Sequence, residues 1–330
     1  MTTGRSSLRT GGALALGLAA LMLVGRVFVK GKSTGRLQKW GQLVLYVGAL
    51  LLLTGELVVM GSRVETDPSH PFAGPDHSQA LAFLRSDRGW FRVDTTPRAR
   101  QMWSPEQMQI QGLETVQGSG NPLALYPGEQ FYWAQPSVGA PGYRLLGVKY
   151  IVVPKGAPPG AEEIWPVFTE DAMVDIHLNT RALPRSWLVY RTESVVDFEA
   201  AFRRVLSDTF QPERVAVVED GPRLDGTGQG WIEVGRYSPN EVVLTVHTDA
   251  PALLVLSDVY YPGWYAELDD VRVPIYRTDV TFRGVLVPPG DHQVRMYFLP
   301  RSFLVGLGLA VSVILAWVVT GIHRRARYVQ

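Results

Sequence analysis

The stretch Asp258 to Trp264 (DVYYPGW) gathers the residue types that bind sugars. A carboxylate accepts hydroxyl protons, and aromatic rings cover the apolar face of a pyranose. Asp258, Tyr260, Tyr261 and Trp264 are therefore candidate sugar-binding residues, set around a Pro262-Gly263 turn in which glycine tolerates positive φ. The same aromatics also read as a lid over a β-core. Arg283 and Arg301 are candidate ligands for a lipid phosphate, because guanidinium binds phosphate bidentately; Arg301 reads equally as an interfacial anchor. Glu56, deep in an apolar run, is a candidate for a polar lipid headgroup, with snorkelling or local capping as the plainer reading.

Other chemistries find little support. The chain has no G-x-S-x-G, no P-loop, no H-E-x-x-H and no dinucleotide fingerprint, so the catalytic residues are unknown and no cofactor is implied. Six scattered histidines without a second ligand nearby predict no metal, and the absence of cysteine removes disulfides and thiolate chemistry. Glu162-Glu163 and Glu170-Asp171 read as solvated loop acids, although a carboxylate pair for glycoside hydrolysis is a matter of spatial separation, which sequence does not give. A balance of 32 basic against 31 acidic residues argues against a nucleic-acid partner.

That near-neutral total hides a segregation. Residues 62–302 carry 22 Lys and Arg against 30 Asp and Glu, a net charge of −8, whereas the flanks of the apolar stretches are purely basic. Gly11 to Val29, Trp40 to Gly61 and Phe303 to Ile322 are apolar over about the 20 residues a bilayer crossing needs. Lys30, Lys32, Arg36 and Lys39 fill the loop after the first, and Arg324, Arg325 and Arg327 follow the last. Basic loops stay in the cytoplasm, which predicts a multi-pass cell-membrane protein with residues 62–302 extracytoplasmic and membrane lipids as partners. The N-terminus then lies outside with no cleaved leader, which leads us to expect helices upstream.

The expected organisation is a membrane-anchored α+β chain: transmembrane helices within 11–61 around a cytoplasmic loop at 30–39, an α/β and loop-rich region at 62–225, an antiparallel β-sandwich at 226–300, a transmembrane helix at 303–322 and a cytoplasmic tail at 323–330. Within the α/β part, the sequence predicts a helix over Asp76–Arg85, strands at 90–94 and 143–154, and a strand–helix–strand unit from 186–190, 197–206 and 215–218. Between residues 95 and 142 the sequence reads as loop-rich, with glycines and prolines interrupting any long element. From Trp231 onward, alternation in Val242-Leu244-Val246, Arg283-Val285-Val287 and Val294-Met296-Phe298, with turns every eight to twelve residues, predicts the sandwich. Its last strand runs straight into the final apolar stretch, so its loops would lie near the membrane.

The segments LLVLSDVYYPGWYAELDD and VPIYRTDVTFRGVLVPPGDHQVRMYFLP, taken with YRLLGVKYIVVP and RALPRSWLVYR, resemble the C-terminal half of the YfhO-type bacterial membrane proteins over about residues 45–322. Such proteins look like multi-spanning glycosyltransferases of the C-fold superfamily that use polyprenyl-phosphate sugars outside the membrane. The resemblance implies a role in cell-envelope glycosylation and a polyprenyl-phosphate sugar as partner. It also implies that the acidic catalytic base belongs to an N-terminal region this sequence does not contain. The chain is then expected to be the C-terminal part of such a transferase, not catalytic alone, with a separate multi-spanning N-terminal part as a candidate partner. A non-enzymatic glycan-binding or scaffold protein of the envelope is the alternative, and a polysaccharide-exporter subunit a third reading.

Overall fold

The computed structural model describes residues 76–117 and 125–326, together with seven positions between 47 and 58; side chains of the last helix are described through Trp317. The chain divides into Met1–His70 and Pro71–Gln330, and the fold below is that of the second unit. The apolar stretches expected to span the membrane at 11–29 and 40–61, and Glu56 with them, lie outside the described residues apart from those seven positions.

Fifteen strands run through the described residues in chain order: β1 Arg92–Thr95, β2 Val148–Pro154, β3 Ile164–Phe168, β4 Val174–Asn179, β5 Ser186–Val189, β6 Arg191–Val195, β7 Val215–Glu219, β8 Gly230–Ser238, β9 Glu241–Thr248, β10 Ala252–Val259, β11 Trp264–Leu268, β12 Val271–Val273, β13 Tyr276–Thr278, β14 Phe282–Val287 and β15 Gly290–Phe298. They form a four-stranded sheet in the order β1-β2-β4-β3, a six-stranded sheet in the order β5-β10-β14-β13-β7-β6, and a five-stranded sheet in the order β12-β11-β15-β9-β8.

The burial patterns explain the layering. In β9 every second residue is buried, as a strand with one solvated face requires. In β10 seven consecutive residues are buried, because both faces are covered. Leu254 and Leu256 join Val285, Val287, Val294 and Met296 in a core between the six- and five-stranded sheets. Leu253 and Val255, on the opposite face, join Ala201, Val205 and Phe282 beneath the helix Phe198–Val205. A third cluster, with Ala80, Leu84, Trp103 and Met108, covers one face of the four-stranded sheet at Val93, Val152 and Ile176.

The six-stranded sheet takes strands from both sides of residue 225. The strand–helix–strand unit forms, but its first strand is β6 rather than the 186–190 segment: β6 and β7 pair in parallel across the helix Phe198–Val205. Asp197 caps that helix, its Oδ1 accepting from the backbone N–H of Ala200 at 2.8 Å. The 186–190 segment instead contributes β5, which pairs antiparallel with β10. Between residues 95 and 142 the prolines open short helices rather than break them. Pro105, Pro127 and Pro141 stand in the first turns of Pro105–Ile110, Tyr126–Trp133 and Pro141–Arg144, where their missing N–H costs nothing.

The expected fold class is corrected on two counts. The molecule is mostly β-sheet with few helices, and among the described residues no helix is long and apolar enough to cross a membrane, so the three transmembrane helices of the expectation are not found. The last helix, Arg301–Ala326, does follow β15 directly, and its side chains from Arg301 to Trp317 are all exposed. The sandwich-like pairing of the antiparallel five-stranded sheet with the mixed six-stranded sheet fits the alternation that predicted it.

Candidate functional site

Two features bring the sequence candidates into contact with their surroundings, and they divide the candidates between them. The first is a groove of about 560 Å3 where β15 hands over to the last helix, lined by Tyr261, Pro262, Gly263, Tyr265, Phe298, Pro300, Arg301 and Ser302. Its floor depends on glycine. Gly263 has φ 108°, and a Cβ there would lie 2.9 Å from the Phe298 ring. Backbone bonds clip the turn to the end of β15: Leu299 N–H donates to Gly263 O at 2.7 Å, and Trp264 N–H to Tyr261 O at 3.3 Å.

Tyr261 is 44 % exposed, with its ring tilted 41° against Phe298 at 6.2 Å. Tyr265 is held by the Arg272 guanidinium at 4.0 Å on its ring. Arg301 is the exposed first residue of the last helix. The groove thus joins one sugar candidate, Tyr261, to one phosphate candidate, Arg301. Aromatic rings and a guanidinium thus stand on the same short wall.

The second feature takes the remaining candidates inward. Asp258 is 8 % exposed, and its Oδ1 accepts from Arg92 Nη2 at 2.9 Å and from Arg185 Nη2 at 2.8 Å. Burial alone would raise this carboxyl. The guanidiniums of Arg92, Arg185 and Arg283 outweigh that effect and hold it below the ordinary carboxylate range. Burial also pushes the guanidinium of Arg92 down to about 10, with the repulsion of Arg185 added, and burial does the same to Arg283.

Arg283 is stacked on the Trp264 ring at 3.6 Å and donates through Nε to Val259 O at 3.1 Å. It is 5 % exposed, so it faces the interior of the sandwich rather than the surface where a lipid phosphate would lie. Trp264 itself packs against the core between the two sheets. Tyr260 lies apart from these, under the Arg277 guanidinium at 5.2 Å, with its N–H donating to Thr281 O at 2.6 Å.

Sequence reasoning passed over the partners of Asp258. Arg92 lies 166 residues away and Arg185 lies 73 away, so no local spacing links them. A usable signal was nonetheless present. Asp258 continues the inward face of Leu254 and Leu256, and Arg283 continues that of Val285 and Val287; a charge on the buried phase of a strand needs a counter-charge.

Residues 228–310 match the family model described as bacterial membrane protein YfhO. The match bears out the resemblance over that part of the chain, which runs from β8 into the last helix and contains the whole groove. No curated protein and no solved structure matches the chain.

Proposed function

We propose, taking the YfhO match over residues 228–310 as premise, that the chain is the extracytoplasmic module of a membrane glycosyltransferase-like protein. In this reading it holds a polyprenyl-phosphate sugar for transfer rather than performing the transfer itself. The observation that carries the reading is the groove. Tyr261, Tyr265 and Phe298 form an aromatic wall, and Arg301 stands at its end, three residues past the strand. Sugar rings stack on such walls, and a guanidinium beside them meets the phosphate that joins sugar to lipid.

Membrane association is supported by the family's description and by the last helix. From Phe303 to Trp317 it exposes Leu304, Val305, Leu307, Leu309, Val311, Val313, Ile314 and Leu315, an amount of apolar surface that water does not tolerate on one element. A lipid-linked ligand held in the groove would present its phosphate to Arg301.

The test is the affinity of the full chain, in bilayer nanodiscs, for a polyprenyl-phosphate sugar. Tyr261→Ala and Arg301→Gln are each expected to weaken binding about tenfold, the equivalent of one lost stacking or charge-assisted contact, while leaving Tm unchanged. Trp264→Ala is expected to lower Tm, since its ring closes the core. Unchanged affinity in both groove variants sinks the reading.

A further inference from the structure

We infer that the cleft beside Asp258 is a second site, built to take a phosphoryl anion, with the Glu114 carboxylate as its internal stand-in. This inference is independent of the groove reading. The cleft measures about 500 Å3 and is lined by Arg92, Gln109, Glu114, Thr115, Arg185 and Tyr237 among others.

The argument is one of charge. Three guanidiniums, Arg92, Arg185 and Arg283, surround a single buried carboxylate, Asp258, and one oxygen of it already accepts from two of them. The remaining positive charge is met by Glu114, which pairs with Arg185 Nη1. The two partners differ sharply in exposure: the Arg185 side chain is 1 % exposed and that of Glu114 is 44 % exposed. A surface carboxylate on a rotatable stem is the replaceable member of such a cluster, because water takes it up again at little cost.

The cation it would leave behind is fixed in place. Arg185 lies over the Trp90 ring at 4.6 Å and the Tyr237 ring at 5.4 Å, and its Cδ approaches the bare Cα side of Gly147, where a Cβ would sit 3.0 Å away. Arg185 Nη2 donates to the Tyr237 hydroxyl at 3.1 Å, which frees the phenolic proton to donate onward. Arg185 Nε is buried without a partner among the described residues. Preorganised donors of this kind suit a tetrahedral anion with several acceptor oxygens better than one carboxylate.

Calorimetric titration of the full chain in detergent with glucose 1-phosphate tests a free phosphate ester, and short-chain phosphatidic acid in the same micelles tests a lipid headgroup. Glu114→Gln removes the competing charge and is expected to tighten binding of one of the two about tenfold. Tyr237→Phe, which keeps the ring, is expected to weaken it severalfold. Arg181→Gln, in the separate basic cleft with Arg144 and Glu213, is expected to leave it unchanged. The proposal is overturned if E114Q binds both probes no more tightly than the native chain, or if R181Q abolishes the binding instead.

Discussion

Asp258→Asn is expected to destabilise the protein by about 3–5 kcal/mol, the cost of leaving buried cations without their counter-charge. Arg92 and Arg185 both bond Asp258 Oδ1, and Arg283 acts on it electrostatically; an amide keeps the shape of the carboxylate and removes the charge. The expected fall in Tm is roughly 10 °C for a body of this size.

The pH dependence separates this effect from a simple loss of hydrogen bonds. Asp258 has a carboxyl held below the ordinary 3.8, so its contribution is present above that value and lost as pH falls through the lower one. The advantage of the native chain over D258N should therefore persist down to about pH 4 and fade below it. A sugar-binding role alone predicts the reverse pattern, with lost affinity and an unchanged Tm. Thermal unfolding of both proteins between pH 3 and 8 decides, and coincident curves would remove Asp258 from any structural role.

Asp279→Asn is expected to act in the opposite direction. Asp279 is fully buried in the turn between β13 and β14, with Oδ1 accepting from Val217 N–H at 2.7 Å and its own N–H donating to Val217 O at 2.7 Å. Its Oδ2 is buried without a partner among the described residues. Burial pushes this carboxyl up to about 8, the nearby Glu193 charge adding to the shift and the Val217 hydrogen bond opposing it.

A group whose folded pKa is raised binds its proton more tightly in the folded chain. Its contribution is fully present below pH 3.8 and is lost as pH rises to about 8. Asparagine keeps the acceptor for Val217, never ionises, and suits the φ of 45° that Asp279 adopts. D279N should match the native chain near pH 4 and exceed it at pH 8 by a few kcal/mol, on the order of 1.4 kcal/mol per pH unit crossed. Equal Tm values at pH 8 would contradict the buried, protonated carboxyl.

Local rules made parts of this fold legible. The apolar run of β10, the alternation of β9 and the N-cap at Asp197 follow from side-chain period and from the competition of short polar residues for helix-end N–H groups. The turns at Pro262-Gly263, Asp269-Asp270 and Pro289-Gly290 are read correctly because Gly263, Asp269, Asp270 and Gly290 all take positive φ. The sheet partners were not legible, since β5 joins β10 across more than sixty residues and nothing local selects that pairing over one with β7.

The same limit applies to the candidate sites. Types and spacing found Tyr261 and Arg301, which the end of β15 brings to one groove. They grouped Asp258 and Trp264 with Tyr261, although Asp258 is buried, Trp264 packs against the core and Tyr261, in the turn between β10 and β11, stays exposed. The arginines around Asp258 come from distant segments and are visible only in the folded chain.

The central claim is that a lipid-linked sugar phosphate is held in the groove between the Pro262-Gly263 turn and the start of the last helix. Photo-crosslinking addresses it directly, using a short-chain polyprenyl phosphate that carries a diazirine beside the phosphate and mapping the labelled peptides of the full chain in nanodiscs. Labels are expected within residues 261–265 and 298–302 and should be suppressed by excess unlabelled polyprenyl-phosphate sugar. Competable labelling elsewhere, with those two segments unmarked, would contradict the claim.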